Sequence, residues 1–173
     1  MTTSGPFGPG PAKTTFIAGD SAGGGLTLST LLALRDRHLP LPAAAIPMSA
    51  CGDLTMASES ARTEEDPVCS ARAMPWFVDL YLGAANPRNP LASPVFGDFT
   101  GIPPLLIQVG EHEMLRDDCI RVAAKARADG VEVKLEVWPG MVHVFQVRGL
   151  PESREAIEHL AGFIMNFSQA KNS

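Results

Sequence analysis

The pentapeptide Gly19-Asp20-Ser21-Ala22-Gly23 constrains this chain more than any other segment. It follows a short apolar run at residues 14–18, and the pattern G-x-S-x-G places a serine on a sharp turn between a strand and a helix. We expect both glycines to be required, because a side chain at either position would crowd the neighbouring strand or helix. The turn strains the serine backbone and exposes its hydroxyl at a helix N-terminus, where free N–H groups can stabilise developing negative charge.

Length and composition limit the classes of protein to which the chain can belong. Its 173 residues are typical of one domain, and the 45% that are hydrophobic are enough for a packed core. The formal net charge of −5 argues against nucleic acid or an anionic membrane surface as a partner. Since there is no apolar run of about 18 residues, we expect no membrane span.

The N-terminal segment differs from the rest of the chain. Residues 1–13 are rich in Gly, Pro and Thr and lack the apolar stretch of a signal peptide. We predict a flexible lead-in over residues 1–13 and a folded region over residues 14–173. The three cysteines, Cys51, Cys69 and Cys119, form no metal-binding pattern, so we expect free, buried and inert thiols in a reducing compartment, which indicates a cytoplasmic protein.

Apolar periodicity predicts an alternation of strands and helices. Strands are predicted at residues 14–18, 43–48, 105–109 and 131–137, and helices at residues 22–37, 71–83, 116–129 and 152–168. Residues 51–70 and 86–104 are predicted to be irregular. The alternation is typical of a mostly parallel α/β sheet with flanking helices. The last strand has a period of two, which indicates a strand that is half-buried or near an edge. The leucines of the first helix indicate a helix covered on several sides.

Ser21 and His143 each follow a predicted strand. The carboxyl ends of parallel strands gather at one rim of a sheet, so these side chains are expected to lie close together. A serine hydroxyl needs a base, usually a histidine, to become a nucleophile. The other histidines fit less well, because His38 ends a helix, His112 is expected in an exposed loop after the third strand, and His159 is expected to face solvent.

A histidine base is usually oriented by an acid, and the four carboxylates within residues 109–118 compete for that role. Asp117 and Asp118 lie at the start of a predicted helix, where the helix dipole stabilises them, and this position is enough to explain their presence. Glu113 is favoured, because one helix and one strand separate it from His143 and return the chain to the same rim. Glu111 is the remaining competitor.

Several segments together resemble the C-terminal part of a bacterial hormone-sensitive-lipase-type carboxylesterase, an α/β-hydrolase. The order Ser…acid…His is also the order of α/β-hydrolases. The matching segments are Gly19 to Gly24, Asp53-Leu54-Thr55, Asp66-Pro67, Tyr81-Leu82-Gly83, Ser93-Pro94, Gly101 to Pro104, Val109 to Asp118 and Trp138 to Gln146.

This resemblance implies a serine carboxylesterase that acts on short to medium acyl esters and needs no metal or organic cofactor. Ser21 is then the nucleophile, His143 the general base and Glu113 the acid. The backbone N–H of Ala22 is one oxyanion donor.

The chain departs from the family in one respect. It contains no His-Gly-Gly-Gly-type loop, which supplies further oxyanion donors in the family. The resemblance therefore predicts an incomplete α/β-hydrolase fold, in which the N-terminal strands and part of the cap are missing. The strand at residues 14–18 would then be an open sheet edge that pairs with a second copy or another chain. Weak or absent activity of the isolated chain is expected.

Other interpretations stay open from the sequence. The chain is either an esterase in its own right, an inactive truncated remnant, or a fragment that needs a complementing N-terminal part or second copy; a peptidase on the same fold is a weaker alternative. The apolar residues near position 77 either line an acyl pocket or pack on the core: Met74, Trp76, Phe77 and Tyr81. For Asp53 and Asp66 we expect a structural hydrogen-bonding role.

Overall fold

A computed structural model describes residues 14–63 and 66–169 of the chain. Four strands form one sheet in the order β1-β2-β3-β4, and every neighbouring pair is parallel. The predicted α/β class and parallel sheet are therefore confirmed. The strands are β1 at Phe16–Asp20, β2 at Ala44–Met48, β3 at Leu105–His112 and β4 at Val133–Val142. The predicted lead-in, residues 1–13, lies outside the described residues.

Five α-helices occur in the described part of the chain. They are α1 at Ala22–Asp36, α2 at Glu59–Thr63, α3 at Met74–Leu82, α4 at Arg116–Ala128 and α5 at Pro151–Gln169. Short 3-10 turns at Pro94–Phe96 and Phe145–Val147 interrupt two of the connections. Each of the four predicted helices has a counterpart within three residues at either end.

The core lies on both faces of the sheet. Helices α1 and α4 cover one face, and their buried apolar residues pack together with β2 and β3. Helix α5 covers the other face through Leu160 and Phe163, which contact Ala44, Ile46 and Leu106. The central strands β2 and β3 are almost entirely buried, which explains their continuous apolar sequences.

Three expectations about elements need correction. Strands β3 and β4 run to His112 and Val142, because they pair with each other across a bulge between Gly110 and His112. Gly110, Glu111, Pro139 and Gly140 are poor strand formers, so tertiary pairing overrides local propensity there. The stretch predicted as irregular contains α2. Leu26 is 53% exposed, so the cover on several sides that the leucines of α1 indicated does not include Leu26.

Both outer strands of the sheet have one hydrogen-bonded neighbour among the described residues. Strand β1 pairs with β2 and strand β4 pairs with β3. The edge position expected for the last strand is therefore confirmed. The first strand also lies at an edge, within the part of the chain that the structure describes.

Candidate active site

The turn between β1 and α1 holds Ser21 in an unusual backbone conformation. Its φ of 56° and ψ of −121° lie in a region that L-residues rarely adopt. Two backbone hydrogen bonds keep it there: the Ser21 N–H donates to Met48 O at 2.9 Å, and its carbonyl accepts from the Cys51 N–H at 3.1 Å. The strain is thus supported by the end of β2 and the residues that follow it.

Glycines let α1 approach the sheet closely enough to form this turn. A Cβ on Gly19 would lie 2.3 Å from the carbonyl oxygen of Gly23, and one on Gly25 would lie 2.4 Å from the carbonyl oxygen of Cys51. A Cβ on Gly24 would also be too close to Ala50, at 2.9 Å. The expectation for Gly23 is wrong, because a Cβ there meets nothing within 4 Å.

His143 lies directly after β4 and reaches back to Ser21. The backbone of Val144 has a φ of 49°, which turns the chain sharply after the histidine. The Val144 N–H donates to the hydroxyl of Ser49 at 3.2 Å, and Arg148 donates to the carbonyl of His143 at 3.3 Å. The imidazole is almost fully buried.

Ser21, His143 and Glu113 form one chain of hydrogen bonds. The distance from His143 Nε2 to Ser21 Oγ is 2.9 Å, and the distance from His143 Nδ1 to Glu113 Oε2 is also 2.9 Å. With Nδ1–H donating to the carboxylate, the neutral imidazole keeps Nε2 as an acceptor for the serine hydroxyl. The structure therefore brings together the three side chains that the sequence placed at one rim.

The carboxylate of Glu113 is completely buried and fully hydrogen-bonded. Its Oε1 accepts from the Gly110 N–H at 2.5 Å and from the Ser49 hydroxyl at 2.8 Å, which leaves Oε2 for His143. A Cβ on Gly110 would lie 2.4 Å from the Met141 carbonyl oxygen and 3.0 Å from Glu113 Oε1. A glycine is therefore required where β3 and β4 meet beside the acid.

The competing carboxylates lie elsewhere. Glu111 is an exposed residue of β3, and its Oε2 accepts from the Gly140 N–H at 2.9 Å. Asp117 accepts from the Ser60 N–H at 2.8 Å, and Asp118 accepts from the N–H groups of Gly52 and Asp53 at 3.3 and 3.0 Å. The two aspartates thus fasten loops to the first turn of α4, which is more than the helix-start role expected for them.

Ser49 is the residue at this site that sequence reasoning missed. It follows β2 at the same rim, has a φ of 44°, and is completely buried. Its hydroxyl links Glu113 with the backbone after His143, so it ties three strand ends together. The available signal was its position, since a serine directly after a buried strand lies at the rim where polar side chains meet.

The environment of His143 favours its protonated form. Burial of the imidazole by itself lowers the pKa, but contact with the Cys69 side chain and the Glu113 carboxylate outweighs burial and raises the pKa above the ordinary value of 6.5. Because Ser21 needs an unprotonated Nε2, the pH at which His143 loses its proton sets the pH at which the hydrogen-bond chain can act.

Ala22 follows Ser21 in the chain and lines an apolar cavity. Ala22 is the first residue of α1, where backbone N–H groups have no partner within the helix. The cavity has a volume of about 230 Å³. Met74, Phe77 and Tyr81 of α3 line it, whereas Trp76 does not. The other lining residues are Ala22, Gly25, Leu26, Ser29, Cys51, Leu54, Val78 and Ala92.

The remaining histidines and two aspartates have other surroundings. His112 ends β3 instead of lying in a loop, although its side chain is 54% exposed, as expected. His159 is only partly exposed and bonds Glu136 at 2.9 Å. Asp53 bonds Thr55 and Arg121, and Asp66 accepts three backbone N–H groups, so the expected structural roles of both aspartates are confirmed.

The cysteines are free, but they are not all buried. Burial raises the pKa of the Cys51 thiol to about 12 and that of Cys119 well above 9.0, so both thiols stay protonated at neutral pH. Cys69 is only partly buried and lies near His143. The expectation of a buried thiol is therefore wrong for Cys69.

Comparison with known proteins assigns this arrangement to a family. A family model described as the alpha/beta hydrolase fold matches residues 8–147. A solved structure described as an esterase from the bacterial hormone-sensitive lipase family is 42% identical, with a TM-score of 0.85, over 88% of this chain and 53% of that chain. The chain therefore belongs to the alpha/beta-hydrolase family, among the bacterial hormone-sensitive-lipase-type esterases.

Curated relatives have matching descriptions. An acetyl-hydrolase of Streptomyces hygroscopicus is 44% identical over 89% of this chain and 52% of its own length. An esterase of Acinetobacter venetianus is 36% identical over 87% of this chain and 52% of its own length. The chain spans about half the length of these relatives. None of the helices in the described residues combines the length and the apolar character needed to cross a membrane.

Proposed function

We propose that this chain carries the catalytic triad of a serine carboxylesterase, with Ser21 as nucleophile, His143 as general base and Glu113 as the orienting acid. The observation that carries the proposal is the continuous hydrogen-bond chain, with 2.9 Å from Ser21 Oγ to His143 Nε2 and 2.9 Å from His143 Nδ1 to Glu113 Oε2. Nucleophile, base and acid stand in the order that acyl transfer requires. The esterase descriptions of relatives support the reaction class.

In the proposed reaction, Ser21 Oγ attacks the acyl carbon of an ester while His143 Nε2 takes the hydroxyl proton. The backbone N–H of Ala22 donates to the oxyanion of the tetrahedral intermediate. His143 returns the proton to the leaving alcohol as the C–O bond breaks, which leaves an acyl-Ser21 ester. Water, deprotonated by His143, then attacks this ester and releases the carboxylic acid and free Ser21.

The cavity beside Ala22 supports short to medium acyl esters as the substrate class. Its lining is almost wholly apolar and comes mostly from α1 and α3, which favours a hydrocarbon chain over a charged group. A volume of about 230 Å³ suits an acyl chain of a few carbons. No metal or organic cofactor is required in this scheme, because the serine supplies the nucleophile.

The test is hydrolysis of p-nitrophenyl butyrate by the purified chain, with Ser21→Ala as the matched control. Removing the nucleophile is expected to abolish the turnover that the wild-type chain shows. Active-site labelling with a fluorophosphonate reports on Ser21 even where turnover is slow. Labelling of wild type and Ser21→Ala to the same extent would overturn the assignment.

A second candidate is a chain that works only in complex. It is supported by the edge position of β1 and by the absence of a His-Gly-Gly-Gly motif from the sequence. A further polypeptide or second copy would then complete the sheet and supply oxyanion donors, each worth about 10²–10³ in turnover. Full activity in a monomeric chain would contradict this candidate and the predicted weak activity of the isolated chain.

A further inference from the structure

Three side chains with metal-binding atoms converge beside the imidazole of His143. The ligand atoms of Asp66, Cys69 and His143 all lie within 4.8 Å of one another. They are a carboxylate oxygen, a thiol sulfur and an imidazole nitrogen. The esterase mechanism uses only His143, and the structural hydrogen bonds of Asp66 do not explain why the Cys69 thiol lies beside it.

These donors match the preferences of a borderline-soft divalent cation. Zn²⁺ binds Cys sulfur at about 2.3 Å and His nitrogen at about 2.0–2.1 Å, in tetrahedral sites of which some have three protein ligands and one open position. Those bond lengths place two ligand atoms roughly 3.5 Å apart. Movements of about an ångström by the partly buried Cys69 and Asp66 side chains would bring the donors to that spacing. Mg²⁺ and Ca²⁺ prefer oxygen ligands and fit this set poorly.

Backbone hydrogen bonds hold the Asp66 carboxylate close to the loop that carries Cys69. Asp66 Oδ1 accepts from the N–H groups of Val68 and Cys69 at 2.8 and 3.0 Å, and Oδ2 accepts from the Met114 N–H at 3.2 Å. This fixes the loop that carries the thiol against the start of α4. Carboxylate oxygens have further lone pairs for a cation.

The Glu113 carboxylate decides which imidazole nitrogen faces the cation. Glu113 accepts from His143 Nδ1, so Nε2 is the nitrogen left for coordination. In metal sites, a carboxylate commonly accepts from the second nitrogen of the histidine ligand and fixes the orientation of its ring. A cation on Nε2 would take the position of the serine proton, and the 2.9 Å contact with Ser21 Oγ would be lost.

We propose that Asp66, Cys69 and His143 form an inhibitory site for a thiophilic divalent cation such as Zn²⁺, which withdraws the His143 imidazole from Ser21. Binding transfers the thiol proton of Cys69 to solvent and forms one bond each from sulfur, nitrogen and oxygen to the cation. The inhibitory part of this inference rests on the proposed function. The binding part does not, because it needs only the three ligands.

Binding is tested on the whole chain by titration with Co²⁺, which replaces Zn²⁺ and gives a thiolate-to-cobalt absorption band when sulfur is a ligand. The band is expected in wild type and in Cys119→Ala, the buried-thiol control, and is expected to be absent in Cys69→Ser. Asp66→Asn is expected to weaken the affinity by about tenfold or more. Absence of the band in wild type, or its persistence in Cys69→Ser, would overturn the site.

Inhibition is tested by fluorophosphonate labelling of Ser21 with and without Zn²⁺. Labelling of wild type is expected to slow by at least about tenfold and to recover with a chelator, whereas Cys69→Ser is expected to be labelled equally in both conditions. Labelling that Zn²⁺ does not slow would overturn the inhibitory role. If Ser21 is never labelled in metal-free wild type, the proposed function fails, while the cobalt spectrum still decides the cation site.

Discussion

Glu113 influences the reactivity of Ser21 through its contact with the His143 imidazole. Its carboxylate is completely buried, accepts from Gly110 and Ser49 with one oxygen, and faces the imidazole with the other. The negative charge stabilises the imidazolium and therefore helps to raise the pKa of His143. As the pH falls through this raised pKa, Nε2 gains a proton and Ser21 loses its acceptor, so reactivity at Ser21 falls as well. The attraction between Glu113 and the imidazolium stabilises the folded chain below this pKa, and it is lost as the pH rises through the same pKa.

Replacing the acid is predicted to shift this titration. In Glu113→Gln the pKa of His143 is expected to be lower than in wild type by about 1 or more, because the neutral amide no longer stabilises the imidazolium. The measurement is an NMR titration of the His143 ring resonances in the whole chain. Glu111→Gln is the matched control, since Glu111 is exposed and bonds Gly140 instead. Equal His143 titrations in Glu113→Gln and wild type would contradict the prediction.

At the scale of elements, α1 and the end of β2 form one packed unit around the serine turn. The first turns of α1 lie directly on the backbone of residues 50 and 51, at distances that leave no room for a side chain on Gly24 or Gly25. Hydrogen bonds from Ser21 to Met48 and from Cys51 to Ser21 join the serine turn to the same segment after β2. Helix propensity alone would favour other residues at these positions, so the glycines are explained by packing.

Two glycines of α1 therefore offer a matched pair of substitutions. Gly25→Ala is expected to lower the free energy of unfolding by about 1–3 kcal/mol, because the added Cβ would lie against the Cys51 carbonyl. Gly23→Ala is expected to leave it unchanged or raise it by up to about 1 kcal/mol, since nothing lies within 4 Å. Urea denaturation followed by circular dichroism measures both. Similar losses for the two variants would show that backbone freedom, and not contact with residue 51, requires the glycines.

At the scale of the whole molecule, the edge of β1 is the surface most suited to association. The Thr15 carbonyl accepts from Ala43, and the Ser21 N–H donates to Met48, so odd-numbered residues of this strand point their backbone groups toward β2. Alternation along the strand directs the N–H and C=O of Ala18 away from β2. Ala18 is also exposed. No strand of the described residues pairs with this edge, and a row of such groups favours pairing with another strand.

The purified chain is accordingly predicted to self-associate as its concentration rises. Ala18→Pro removes one outward N–H and is expected to reduce association, whereas Ala18→Ser keeps the N–H and is expected to behave like wild type. Sedimentation velocity over a range of concentrations compares the three proteins. A wild-type chain that stays monomeric at every concentration would rule out the edge as an association surface.

Much of the fold could be predicted from local pattern. Apolar periodicity located the four strands and four of the helices, since burial on one or both faces of an element leaves a repeat in the sequence. It failed at the ends of β3 and β4, where Gly110, Glu111 and His112 are poor strand formers held by pairing with the neighbouring strand. It also missed α2, which has too few residues for a repeat to appear.

The sequence by itself determined the family, the parallel α/β class and the serine turn, because motifs and periodicities are local properties of the chain. It also predicted that Ser21, Glu113 and His143 lie at one rim of the sheet. Their catalytic roles stay predictions. The tertiary structure decided which carboxylate meets His143, why Ser49 is buried beside it, and that Cys69 lies near the imidazole. Those contacts join residues far apart in the chain, and their distances depend on how closely strands and helices pack.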